Sequence, residues 1–139
     1  MNSPTPIPPA PAQYMLLFHG PDWDTGRTPD ETRRIMDKVT AWFDGLQQRG
    51  IVRGGAPLAR AGKLVSGKSR TVADGPFAES KEVVGGYLTV AVDSLDEATA
   101  IARECPTLDY GISIEVRPVL DDCPISKRLR EQEALPVAA

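Results

Sequence analysis

The chain has 139 residues, 41% of them hydrophobic, with 16 Lys and Arg against 19 Asp and Glu for a formal net charge of -3, the composition of one ordinary soluble domain. This acidic balance offers no general attraction for phosphate backbones or anionic lipid, so neither nucleic acid nor a membrane surface is an expected partner. The longest apolar run, Tyr14 to Phe18, is far below the roughly 18 residues that span a bilayer, no basic segment followed by an apolar stretch opens the chain, and a cytoplasmic location is expected.

Residues 3 to 12 hold five of the 13 prolines and cannot join a sheet or helix, because half of their positions lack a backbone donor. Residues 1–13 therefore read as a loose tail, 14–120 as the packed body, and 121–139 as a polar tail or short helix. Tyr14-Met-Leu-Leu-Phe18 is a strand by length and aromatic content, ended by Gly20-Pro21. Thr28-Pro-Asp-Glu31 is a capping box with proline at the first helical position, and it opens a helix. The apolar residues Ile35, Val39, Trp42, Phe43 and Leu46 of that helix form one stripe, and Gly50 ends it in the left-handed conformation. A short second strand starts at Ile51-Val52 and is expected to break at Gly54-Gly55. Lys63 to Ser66 and Arg70 to Ala73 flank Gly67-Lys68 as a hairpin, followed by a turn at Asp74-Gly-Pro-Phe77. Gly86 to Asp93 is a strand, Ser94-Leu-Asp-Glu97 caps a second helix that Pro106 stops, and Ile112 to Val119 is the last strand.

Without the hairpin the order is β-α-β-β-α-β. Right-handed crossovers turn that order into a four-stranded antiparallel sheet with both helices on one face, an α+β, ferredoxin-like arrangement. Both faces of the first strand and of the Gly86 strand are largely apolar, yet two helices cover only one face. A second copy of the chain is the economical cover for the other, giving a homodimer in the form of a dimeric α+β barrel.

Gly62 to Ser69 matches the phosphate-loop pattern letter for letter, but that loop works through the amides of a following helix, and the residues after Ser69 are of β type. A hairpin tip is the expected reading. His19, the single histidine, stands at a strand end and is a candidate general base. One histidine and two separated cysteines leave a metal site unexpected, and no cofactor is expected. Trp42 and Phe43 read as core, whereas Trp23 lies in a polar loop and is a candidate to stack on a ligand. Asp74-Gly-Pro-Phe-Ala-Glu79-Ser-Lys81-Glu82 packs ionisable groups directly before Gly85-Gly86. In it Asp74 is a candidate proton or hydrogen-bond acceptor, and Lys81 and Glu82 are candidate ligand contacts.

The Asp74-Gly-Pro-Phe-Ala-Glu run, Lys81-Glu82, Gly85-Gly86-Tyr87, Tyr14-Met-Leu-Leu, Gly54-Gly55, Cys105-Pro106 and Ile114-Glu-Val-Arg-Pro118 occur together and in order. In this the chain resembles the YCII-related proteins of the DGPF type over about residues 14 to 119. The resemblance implies a dimeric α+β barrel of ferredoxin-like units and no defined reaction. In a more distant branch of that family a suspected catalytic histidine sits on the first helix, and the first helix here holds none. The expectation is a homodimer with a small-molecule cleft lined by Asp74, Lys81, Glu82, His19 and Trp23, either a binding protein or an enzyme of undetermined reaction. The alternative is a non-catalytic accessory protein of sigma-factor signalling, since the genes of such proteins often lie beside those of extracytoplasmic-function sigma factors.

Overall fold

The computed structural model describes residues 12–75 and 83–135. In chain order they form β1 (Ala12–His19), α1 (Pro29–Gln48), β2 (Val52–Pro57), β3 (Lys63–Ser66), β4 (Thr71–Asp74), β5 (Val84–Val92), α2 (Leu95–Arg103), a 3-10 turn at Pro106–Tyr110, β6 (Ser113–Val119) and α3 (Pro124–Ala134). Strands β2, β5, β1 and β6 make one sheet in that order, and β3 pairs with β4 in a separate hairpin. Every pairing is antiparallel.

The hydroxyl half of each capping box forms, while the Glu97 carboxylate accepts from the amide of Asp93, one residue before the cap. The Thr28 hydroxyl accepts from the Glu31 amide and the Ser94 hydroxyl from the Glu97 amide, each satisfying a helix-start donor that has no partner within the helix. Gly50 follows the end of α1 at a φ of 70°, a region that costs an L side chain energy but not glycine. Helices α1 and α2 pack on the same side of the sheet. Leu46, with Trp42 and Phe43, meets Ala98, Ile101 and Ala102 over Tyr14, Leu16, Leu88, Val90 and Val92. Leu16 and Val90 are wholly buried, and each full burial of such a side chain stabilises the fold by roughly 1.5–3 kcal/mol. The Trp42 indole N–H donates to the Ile101 carbonyl at 3.2 Å, tying the two helices together.

The alternation of side chains along each strand puts Met15, Leu17 and Tyr87 on the opposite side of the sheet. Neither α1 nor α2 lies there, and α3 buries none of its residues. No helix among the described residues is long and apolar enough to cross a membrane.

Two local expectations differ from the structure. Strand β2 does not break at Gly54-Gly55 but runs through it to Pro57. At Gly55 a Cβ would lie 2.7 Å from the Tyr87 carbonyl, so the glycine lets the strands approach instead of parting them. The hairpin turn spans Gly67 to Arg70, not Gly67-Lys68 alone, with Ser66 opposite Thr71 and Arg70 at a φ of 56°. Lys68 stands in that turn with β4 directly after it, so no helix follows the phosphate-loop-like run.

Candidate functional site

Where β2 and β5 run beneath α1, the sheet lacks the side chains that would ordinarily fill the space. Gly86 lies on the same face as Leu88 and pairs with Phe18 of β1, and Gly55 pairs with Leu88. Val39, Trp42 and Phe43 of α1, spaced for one helix face, look across at this bare backbone. The result is a cleft of about 650 Å³ between helix and sheet, with the Gly20 to Asp24 loop and Arg60 at its rim. Its volume falls within the range of small-molecule sites.

Phe18, Trp23, Trp42 and Phe43 are among the aromatic residues that border the cleft. Phe18 and Trp42 meet edge to face, with centroids 6.4 Å apart and an interplanar angle of 85°, the geometry that ring quadrupoles prefer. Trp23 is held from outside the cleft. Its ring lies against Tyr110 at 6.3 Å, its carbonyl accepts from Arg27 Nε at 2.9 Å, and the Arg27 guanidinium sits 4.7 Å above the Tyr110 ring, within cation–π range. Arg60 supplies the cationic group of the lining. Its Nε lies 3.1 Å from Asp22 Oδ2, and its Nη2 donates to the Gly20 carbonyl at 2.9 Å. On the inner wall the Cys105 thiol lies 3.1 Å from the Thr107 hydroxyl, both buried.

Of the candidates named from sequence, the structure places Trp23 on this cleft. His19 stands elsewhere: its Nε2 is 2.9 Å from Glu115 Oε1 on the helix-free face, and Arg117 Nε lies 3.6 Å from the other Glu115 oxygen. Asp74 closes the β3–β4 hairpin, where its exposed carboxylate accepts from Lys63 Nζ instead of taking part in the cleft lining. Lys81 and Glu82 lie outside the described residues. The structure thus brings none of His19, Asp74 and Trp23 together. Sequence reasoning missed Arg60 and Asp22 and assigned Trp42 and Phe43 to the core alone. The available signal was the pair of glycine doublets, Gly54-Gly55 and Gly85-Gly86, in two strands that proved to be neighbours.

Among the described residues no group of three or more His, Cys, Asp or Glu side chains converges to hold a metal ion. The pKa of the exposed Cys123 thiol moves clearly. It is lowered from the ordinary thiol value, first by the Ser126 amide, then by the Ser126 hydroxyl and the Ile125 amide at the start of α3.

Comparison with known proteins places this geometry in a wider setting. An uncharacterized protein of Rhizobium meliloti (strain 1021) is 31% identical over 115 residues, spanning 76% of this chain and 89% of that protein. A solved structure, 5-chloro-2-hydroxyhydroquinone dehydrochlorinase from Burkholderia phenoliruptrix AC1100 in complex with 2,5-dihydroxybenzoquinone, is similar at 14% identity and a TM-score of 0.43, covering 79% of this chain and 95% of its own. The YCII-related domain family matches over residues 12–121, nearly all of the body described above, and the chain belongs to that family.

Proposed function

We propose that this protein is a small-molecule-binding homodimer, built on a ferredoxin-like unit, whose ligand occupies the cleft beneath α1 and whose partner copy covers the helix-free face of the sheet. The observation that carries the ligand half of this reading is the glycine floor. Two strands that elsewhere contribute Leu and Val to the core place glycines at the positions facing Trp42 and Phe43, and space is left where packing would ordinarily be complete. Rings on the walls and one guanidinium at the rim match the usual make-up of a small-molecule site, mostly apolar with few polar groups to fix orientation. The dimer half rests on Met15, Leu17 and Tyr87, apolar side chains side by side on a surface that a lone chain would leave to water. Residues 14–120 form the binding unit, with 1–13 and 121–139 flanking it.

Both tryptophans of the chain border the cleft, so occupancy is readable without a label. A neutral apolar dye such as N-phenylnaphthylamine is expected to bind once per chain, with energy transfer from tryptophan. Val39→Trp, which fills the cleft from a helix position that accepts a large side chain, is expected to abolish that signal while the helical circular dichroism stays unchanged. Absent dye binding in the parent, or undiminished binding by the folded Val39→Trp protein, would refute the cleft as a ligand site.

A further inference from the structure

Resting on the cleft proposed above, we infer that its ligand is a planar aromatic anion whose carboxylate is gripped by Arg60, which exchanges Asp22 for it on binding. An arginine carries five N–H donors in a fixed plane. Asp22 Oδ2 lies 3.1 Å from Nε as an ion pair and the Gly20 carbonyl takes one hydrogen of Nη2, so three further donors, including both on Nη1, have no partner among the described residues. These lie at the end of the fork, whose spacing suits a two-oxygen anion. The Gly20 contact fixes the plane of the fork in advance, which lowers the ordering cost of capture.

The resident counter-ion is replaceable. The Asp22 side chain is 66% exposed against 31% for Arg60, and an ion pair with one member so open to water contributes little net free energy. A ligand carboxylate brought against the same guanidinium by ring burial is shielded from water on the cleft side, where the attraction is stronger. Asp24, the other carboxylate at the rim, also borders a shallow depression lined by Arg27 and Arg33. Flat walls from Trp42 and Phe43 favour a ring over a branched aliphatic chain, since stacked or edge-on rings gain from quadrupole alignment as well as area.

The test is displacement of the neutral dye by 2-naphthoate, 2-naphthamide and 2-naphthylmethylammonium, three ligands of nearly equal shape and different charge, read as the ratio of their affinities within each variant. In the parent, naphthoate is expected to bind about tenfold more tightly than naphthamide, the size of effect that one charge-assisted bidentate contact supplies. Arg60→Gln should bring that ratio to near one, Arg60→Lys should restore part of it, and Asp22→Asn should raise it, because the fork then has no competitor. Equal binding of naphthoate and naphthamide by the parent, or tighter binding of the ammonium compound, overturns the anion inference while leaving an aromatic cleft. A dye that never binds removes the cleft itself. Should Arg60→Gln fail to fold, a ratio that does not rise in Asp22→Asn is by itself enough to overturn the exchange.

Discussion

At the scale of single residues, the two cysteines show how position decides chemistry. Cys105 is buried, its thiol against Thr107, while Cys123 is fully open at the start of α3 with two amides and a hydroxyl directed at its sulfur. Hydrogen bonds to the thiolate favour the charged form, which is the nucleophile. The shift is downward, so at any pH between the folded and the ordinary value Cys123 is more ionised than a thiol in an unfolded chain. Its reaction with iodoacetamide is therefore expected to rise at lower pH in the native protein than in a peptide of residues 119–127, with Cys105 modified only after denaturation. Two thiols reacting at equal rates in the native protein would contradict both halves of this assignment. Neither environment was legible in a sequence that shows only two cysteines 18 positions apart. The same limit applied to Asp74 and Arg60. Asp74 meets Lys63 because hairpin register puts those two opposite each other, and Arg60 meets Asp22 across a strand and a helix; no spacing within a short segment reveals such partners.

Among the secondary-structure elements, the two helix starts were read correctly. Thr28 and Ser94 cap their helices because the bond each makes is to an amide three residues on, a relation fixed by helix geometry alone. The Gly54-Gly55 doublet was misread as a break because glycine serves two purposes, turning a chain and allowing a neighbour close, and only the position of β5 distinguishes them. At Gly55 an added Cβ would meet the Tyr87 carbonyl at 2.7 Å and Leu88 Cα at 3.2 Å, both backbone atoms that cannot rotate away. Gly55→Ala is accordingly expected to destabilise the fold by about 1–3 kcal/mol, despite the better strand propensity of alanine. Gly54→Ala, whose Cβ meets nothing within 4 Å, should be nearly neutral. Urea titration of the two variants checks the contrast, and equal stabilities would show that β2 and β5 are not held together as described.

On the scale of the whole molecule the decisive feature is a sheet with two apolar sides and helices on one. The core side is closed by α1 and α2. On the other side Met15, Leu17 and Tyr87 are only partly buried, beside the His19, Glu115 and Arg117 cluster near the β1 end. The doubled apolar character of β1 and β5 was legible from alternation alone. A homodimer joined through this face would bury about 800 Å² per protomer if of standard size, with Leu17 near the middle of the patch and the charged cluster toward its margin. Leu17→Glu then places a carboxylate in a desolvated interface without a partner, a change that costs several kcal/mol of association free energy yet leaves a monomer with the same core, since Leu17 points away from it. Sedimentation equilibrium at micromolar concentration is expected to give a dimer for the parent and a monomer for Leu17→Glu. Dye binding should persist in that monomer, because the cleft opens on the opposite side of the sheet. A parent that sediments as a monomer would leave the helix-free face without a second copy, and a Leu17→Glu monomer that no longer binds dye would mean that the cleft is completed only across the interface.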